Sequence, residues 1–307
     1  MNLRQLEVFV RVAELGSFSK AAVVLGVAQP ALSRQVRQLE TGLRQSLLLR
    51  TGRGVTLTEA GKRLFEHSVG ILQLVERARE DVEASRGEPR GRVVVGLPPS
   101  MGRLLAVDLV ERFRERLPRA RLAIVEGLSA HITEWIATGR VDVGLLLNPE
   151  PGGAIEIVPV LDEPLCLVGT PALPERGPMP FAQLCAHPLI IPERSHAIRR
   201  LLEAQAALSG VKLEIACEVS SVPAILDLVR RGHGCAVLAE SALGAVAREF
   251  VARPIVEPRL ATTLCLATSA SKPATPLIKR TTALLRELVL AHVPGGRRRP
   301  ATRARAR

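Results

Sequence analysis

Residues 17–40, SFSKAAVVLGVAQPALSRQVRQLE, constrain this chain more than any other stretch. Ser17 follows Gly16 and stands where a helix N-cap belongs. Phe18, Ala21, Ala22 and Leu25 then recur at helical spacing and make one apolar face. Gly26 supplies the left-handed residue that ends such a helix. Val27 and Ala28 carry a tight turn, and Gln29-Pro30 opens a second helix, where the missing proline N–H costs nothing. On this second helix Ala31, Leu32, Val36 and Leu39 are expected to point inward. Gln29, Ser33, Arg34, Arg37 and Gln38 point outward. Two short helices joined this way form a helix-turn-helix whose reading helix spans 29–40. An ordinary helical hairpin with a solvated face has the same apolar spacing, so the flanking residues decide between the two.

Those flanking residues favour DNA. Residues 47–57, LLLRTGRGVTL, read as a small hairpin with Thr51-Gly52-Arg53-Gly54 at its tip and Arg50 and Arg53 flanking it. A basic hairpin beside a reading helix is a wing that lies along phosphates or enters the minor groove. Residues 1–65 hold ten Lys and Arg against four Glu, a net +6. Phosphate binding accounts for that excess better than solvation does. The candidate DNA contacts are Ser17, Gln29, Pro30, Ser33, Arg34, Arg37, Arg50 and Arg53. Another +6 sits in the tail, RRRPATRARAR at 297–307, and the long body between is nearly neutral, so both ends carry the net charge of +12. The tail has no apolar periodicity and is expected to be disordered from 293 onward, a solubilising extension that adds some electrostatic affinity.

The N-terminal residues resemble the DNA-binding domain of the LysR-type transcriptional regulators. The match runs without a break through Leu6, Phe9, Ala13, Gly16, Ser17, Phe18, Ala21, Ala22, Leu25, Gln29, Pro30, Ala31, Ser33, Leu39, Glu40, Leu48, Arg50, Thr56, Leu57, Thr58, Gly61 and Leu64. Two residues depart from the family pattern. Gly26 stands where a polar residue is frequent, and Leu48 where phenylalanine is usual; both are packing positions.

Residues 58–86 contain no proline, and Thr58 can cap a long helix there with Glu59 in its first turn. Leu64, Ser68, Ile71, Val75, Ala78 and Val82 make a heptad-like seam. Such a helix either packs on a twin, as the resemblance implies, or folds onto its own domain. GEPRG at 87–91 is a hinge by composition. Beyond it, strands at 92–97, 121–126, 141–147, 156–160 and 165–169 alternate with helices at 103–117 and 130–138. Asp162-Glu163-Pro164 is expected to cross into a second lobe. That lobe holds strands at 189–191, 213–219 and 235–238 and helices near 197–208, 222–231 and 241–248. A strand at 262–268 and a helix at 276–292 close the body. This alternation predicts parallel sheets covered by helices. The order of segments resembles the two-lobed, periplasmic-binding-protein-like effector domain of the same family. The phrases VVVGLPPS, SVPAILDLVRRGHG and LNPEP look most like its nitrogen-assimilation-control branch.

The expected fold class is therefore α/β overall: a winged helix-turn-helix at 1–58, a dimerisation helix at 59–87, and an effector domain at 88–292. Lobe I of that domain covers about 92–161 and 268–292, and lobe II about 162–267. A basic tail at 293–307 completes the chain. In open α/β sheets ligands bind beyond the carboxyl ends of strands, where helix N-termini favour anions. Four strand-to-helix junctions carry a serine, and the candidate effector contacts are Ser100, Met101, Ser129, Ser195, His196 and Ser220. The family's effector contacts cluster at the junctions matching Ser100, Ser129 and the 195–196 turn. Capping alone also explains each serine. His196 and Arg199 are candidates for a positive group facing a carboxylate.

An enzyme would need a constellation that is missing here: there is no G-x-S-x-G, no phosphate-cradling glycine loop and no Cys–His or Ser–His grouping. The other histidines form no ligand-spaced pair, and Cys166, Cys185, Cys217, Cys235 and Cys265 lie far apart, so no metal, cofactor or disulfide framework is expected. The first helix is amphipathic and charged, unlike a secretory signal, and no run is apolar enough to span a bilayer. The expected reading is a cytoplasmic, nucleoid-associated regulator, an activator or repressor. It would bind a pseudo-palindromic promoter site on double-stranded DNA as a homodimer or homotetramer. Its further partners would be a small, anionic effector and RNA polymerase, and it would not associate with membranes. The competing readings are an effector-independent regulator and a non-specific, architectural DNA binder that uses the arginine tail.

Overall fold

A computed structural model describes residues 1–51, 54–83, 89–173, 176–272, 274–293 and 296–298. The chain divides into two units, residues 1–87 with 137–140, and residues 88–136 with 141–307.

The first unit begins with helices α1 (Leu3–Leu15), α2 (Phe18–Leu25) and α3 (Gln29–Leu43). Asn2 and Gln5 form a reciprocal capping box at the start of α1. Ser17 accepts the Lys20 N–H at 3.3 Å, and Gly26 ends α2 in the left-handed region at φ 65°, both as their positions predict. Phe9, Phe18, Leu32, Val36 and Leu39 are buried in one apolar cluster. Ala31 was expected among them but is exposed: it lies in the first turn of α3, one residue ahead of the buried stripe that starts at Leu32. Strands β1 (Leu48–Thr51) and β2 (Gly54–Leu57) pair antiparallel, Leu48 to Leu57 through Thr51 to Gly54, and form the wing. The wing leans on the turn between α1 and α2. The Val55 N–H bonds the Gly16 carbonyl at 2.9 Å, and a Cβ at Gly54 would lie 2.7 Å from that same oxygen.

Helix α4 (Glu59–Glu83) starts at a clamp. The Thr58 hydroxyl accepts the Gly61 N–H at 2.9 Å and donates to the Ser46 carbonyl at 2.8 Å. A Cβ on Gly61 would sit 2.0 Å from the Leu47 carbonyl oxygen, so only glycine lets the helix begin there. The heptad-like seam splits. Leu64 packs on the N-terminal core, and Ser68 is buried with its hydroxyl donating to the Leu64 carbonyl. The exposed apolar row is instead Ile71 (37%), Leu74 (43%) and Ala78. The side chain of Val82 lies outside the described residues.

The second unit is built on one long mixed sheet. In chain order its elements are β3 (Gly91–Leu97), α5 (Pro99–Arg116), β4 (Ala120–Glu126), α6 (Ser129–Thr138), β5 (Val143–Leu147) and β6 (Ile155–Gly169). Next come β7 (Met179–Pro180), β8 (Leu189–Ile191), α7 (Ala197–Ser209), β9 (Ile215–Glu218), α8 (Val222–Arg230) and β10 (Cys235–Ala239). The last are β11 (Val251–Val256), β12 (Ala261–Ser269), α9 (Pro276–His292) and β13 (Arg297–Arg298). The strand order is β4-β3-β5-β12-β6-β10-β8-β9. In lobe I, α5 and α9 cover one face through Leu105, Leu109, Phe113, Leu284 and Leu288, and α6 covers the other through Ile132 and Ile136. In lobe II, α7 buries Ile198 and Leu202 on one face, and α8 buries Ile225, Leu226 and Val229 on the other. Each such side chain contributes roughly 1.5–3 kcal/mol on burial.

The sheet departs from the expected all-parallel form. β3 pairs parallel with β4 and β5, and β8 with β9 and β10, but β12 runs antiparallel to β5 and β6, and β10 runs antiparallel to β6. The two strands expected at 156–160 and 165–169 are one strand, β6, which carries the chain from one lobe to the other. Asp162, Glu163 and Pro164 lie inside it, paired with Thr263, Thr262 and Ala261. Proline reads as a break because it cannot donate to a ladder. β6 tolerates Pro159 beside a register shift of β12 at Leu264/Cys265, and Pro164 at the end of the β12 ladder. Leu264 and Leu266 of β12 belong to the lobe I core, so the return to lobe I falls near 261 and not 268. The helix expected at 241–248 is a 3₁₀ segment, Glu240–Glu249, broken at Gly244. Sequence periodicity missed β7, β11 and the 3₁₀ turn Phe181–Ala186, all of which are short. The tail also differs from expectation at its start: Arg297 and Arg298 pair antiparallel with Asp162 and Leu161. Residues 299–307 lie outside the described residues.

Candidate nucleic-acid interface and effector cleft

Helix α3 presents Gln29, Pro30, Arg34, Arg37 and Gln38 to solvent. Arg34 and Arg37 make no ion pair among the described residues. Glu40, the acid nearest to them on the helix, is turned away: one of its carboxylate oxygens accepts the N–H groups of Leu47 (2.8 Å) and Leu48 (3.2 Å). That contact sets the wing against the reading helix and leaves both guanidinium groups uncompensated. Sequence reasoning assigned Glu40 no site role, because its partners are backbone groups seven and eight residues away. Ser17 is half-exposed and already engaged as the cap of α2. Ser33 is half-buried and hydrogen-bonded. Arg50 lies on β1 opposite Val55, its side chain outside the described residues, and Arg53 is outside them entirely. The wing connection is the two-residue loop expected between Thr51 and Gly54.

The second site lies between the lobes of the second unit. Two continuous chambers share Ser100, Leu147, His196, Ser220 and Val222. The outer one, about 500 Å³ with its open mouth, is lined by Ser129, Ser195 and Arg200 as well. The inner one, about 520 Å³, adds Met101, Ile198, Ile225, Val237, Glu163, Ser241 and Thr262. All six expected effector residues therefore meet in one cleft, although Ser100 and Ser220 lie far apart along the chain.

The N-termini of α5, α6, α7 and α8 all open on this cleft. The capping explanation of the serines does not hold. Pro98 precedes α5 without a side-chain cap, and Pro99 leaves the Ser100 and Met101 N–H groups ahead of the first helical bond, from Gly102 to Pro98. The Ser129 hydroxyl accepts the Leu147 N–H at 2.9 Å and ties α6 to β5. Ser195 donates to Glu193 at 2.9 Å. Helix α7 is capped by His196, whose Nδ1 accepts the Ile198 N–H at 3.3 Å, and the residue before α8, Ser221, makes no side-chain cap.

Neither residue expected to supply positive charge does so. Burial, reinforced by the Arg200 guanidinium, holds His196 below the usual imidazole range, and its Nδ1 is already an acceptor, so the ring is neutral. Arg199 is 1% exposed and fully committed inside lobe II, to Glu203 at 2.7 Å, Glu218 at 3.1 Å and the Pro192 carbonyl at 3.2 Å. The cation at the cleft is Arg200, one residue along the helix and on its exposed side. At the inner end, both oxygens of buried Glu163 are held by Ser241, by its N–H and its hydroxyl, each at 2.8 Å. Desolvation pushes this carboxyl above its ordinary range. Beside the cleft, Thr263 bonds Asp162 and Asn148, each at 2.6 Å, and so ties the crossing strands together. No group of three or more metal-ligating side chains exists among the described residues.

A winged helix-turn-helix joined to a two-lobed ligand-binding body defines a ligand-responsive DNA-binding regulator. The family models agree. Residues 3–62 match the bacterial regulatory helix-turn-helix protein of the lysR family, and residues 86–289 match the LysR substrate binding domain. The chain belongs to the LysR family of DNA-binding transcriptional regulators; it is a regulator with an effector-binding domain and not an enzyme. It is 33% identical over 293 residues to the nitrogen assimilation regulatory protein nac of Klebsiella aerogenes, covering 94% of this chain and 95% of that one. It is 30% identical to the HTH-type transcriptional regulator BbuR of Bordetella bronchiseptica over 86% of this chain and 82% of that one. Among solved structures it resembles a single-site variant of full-length OxyR from Pseudomonas aeruginosa, with a TM-score of 0.73, 25% identity and coverage of 100% and 99%. It also resembles CbnR, a LysR family transcriptional regulator, with a TM-score of 0.69, 25% identity and coverage of 94% and 99%. No described helix is long and apolar enough to cross a membrane.

Proposed function

We propose that this regulator reads a pseudo-palindromic promoter site with α3 and its wing, and that a small anionic metabolite in the interlobe cleft changes its promoter use. The DNA reading is carried by Arg34 and Arg37, exposed and unpaired on α3 because Glu40 is engaged by the wing backbone. Arg34 and Gln29 read base edges, Arg37 sits on phosphate, and Ser17, Pro30, Ser33, Arg50 and Arg53 position the helix on the backbone. Two reading helices on one duplex require an oligomer, and the exposed apolar row Ile71–Leu74–Ala78 suits α4 to packing on a second copy, as a dimer or within a tetramer. A similar regulator, CbnR, has been solved in complex with its target DNA. RNA polymerase is the further partner, and the nucleoid the site of action.

The effector reading rests on one cluster: Ser100, Ser129, Ser220 and Arg200 around four helix N-termini. Such termini and a guanidinium favour an anion such as a carboxylate. The ligand acts by binding one of two cleft widths more tightly than the other. The test is a DNase footprint upstream of the protein's own gene, at physiological salt with excess competitor DNA. Two protected half-sites on one face of the duplex are expected. Protection that competitor DNA erases would instead mark a non-specific binder driven by its arginines.

A further inference from the structure

The inner chamber holds a group that the fold does not satisfy. Thr262 is wholly buried, lines the chamber, and its hydroxyl has no hydrogen-bond partner among the described residues. On β12 it stands directly opposite Glu163 on β6, and opposed residues of an antiparallel pair project from the same face. The Glu163 carboxylate is occupied by Ser241, so the hydroxyl is the unused polar contact at this end. The walls between it and the mouth are apolar: Met101, Ile198, Ile225 and Val237. A buried hydroxyl without a partner is costly, and such groups are rare in folded proteins unless something pairs with them.

We infer that the effector is a monocarboxylate with an apolar body and an uncharged hydroxyl at its far end, which pairs with the Thr262 hydroxyl in the inner chamber. This rests on the reading of the outer chamber as the carboxylate site. The end group is uncharged because its partner is: one neutral hydroxyl in an apolar chamber cannot replace the hydration of an ion. A second carboxylate is further opposed by the buried Glu163 beside it. The span from Arg200 and the α5 N-terminus to Thr262 sets the length of the molecule, and the aliphatic walls set its girth.

The experiment titrates the full-length protein by calorimetry with matched monocarboxylates, straight-chain and aromatic, each with and without a terminal hydroxyl, and with the corresponding dicarboxylates. Native protein is compared with Thr262→Val, which keeps the shape and removes the hydroxyl, and with Arg200→Ala. In the native protein the best hydroxylated probe is expected to bind roughly ten-fold more tightly than its hydroxyl-free match, the effect of one buried hydrogen bond. Thr262→Val should abolish that preference, leave the hydroxyl-free probe unchanged, and leave the ligand-free Tm equal or higher. Arg200→Ala should weaken both members of a pair alike. A hydroxyl preference that survives Thr262→Val, a preference for dicarboxylates, or a lowered Tm in that variant would overturn the inference while leaving the carboxylate site standing. If no carboxylate binds, or if Arg200→Ala changes nothing, the underlying reading falls with it.

Discussion

The reading helix and the effector body treat the same side chain in opposite ways. In the body, arginines are spent on structure. Arg199 is sealed between Glu203, Glu218 and a carbonyl, Arg112 and Arg116 share Glu287, and Arg230 lies between Asp227 and Glu249. On α3, Arg34 and Arg37 stand in solvent with no acid beside them, and the one acid near them is drawn off by the wing. A paired guanidinium is already neutralised and has little left to attract a phosphate or a guanine edge. A free one costs the fold nothing and keeps its whole field for a partner. Net charge says the protein is basic, and pairing says where that charge is available.

That contrast can be broken by substitution. The largest effect is expected at Arg199→Ala, which leaves a buried gap and strips Glu203, Glu218 and the Pro192 carbonyl of a partner. It should cost about 3 kcal/mol of stability, measured by denaturant unfolding, with operator affinity retained by the folded protein. Arg34→Ala should do the reverse. Operator affinity falls by about 1–3 kcal/mol in gel-shift titrations with relaxed specificity, Gln29→Ala falls less, and Tm stays constant. A drop in Tm for Arg34→Ala would show that the side chain is structural after all. Arg37→Ala should weaken specific and random DNA alike and reduce the slope of log affinity against log salt by about one. In the cleft, Ser100→Ala should blunt the effector-dependent change in the footprint several-fold while DNA binding without effector is unchanged; a full response would remove that residue from the site.

The smallest effect concerns pH. Desolvation raises the folded-state value of Glu163 above its ordinary 4.5, so between those two values the folded protein holds a proton that the unfolded chain has released. Stability therefore falls as pH rises through that window and is flat below it. Glu163→Gln should remove this slope in urea-unfolding curves taken across the window. An unchanged slope would place the titration elsewhere.

Much of the N-terminal unit was legible because its determinants are local. The cap at Ser17, the stop at Gly26, the wing register and the buried stripe Leu32–Val36–Leu39 each depend on residues within a turn or two of one another. The strand-to-helix junctions of the body were legible for the same reason, and the four serines at those junctions do meet at one cleft. Errors came where a local signal met a tertiary override. Pro159 and Pro164 read as an interruption, yet the β12 ladder carries one strand through both. His196 and Arg199 read as cations for a ligand, yet burial keeps one neutral and internal partners consume the other. Arg200, Glu163, Ser241 and Thr262 went unnoticed because nothing in the spacing of single hydroxyls and charges says which of them will share a cavity.

The sequence by itself determined the helix-turn-helix with its wing, the order of strands and helices, the concentration of positive charge at the ends, and through these the family. Periodicity, caps and turns act over a few residues, so they are written in neighbouring letters. Tertiary structure alone decided which arginines stay free, how β6 and β12 join two lobes, and that a buried hydroxyl from residue 262 faces the same chamber as a helix beginning at residue 99. Those outcomes depend on burial and on partners far apart along the chain, and the cost of burying a polar group is settled only once its surroundings have closed around it.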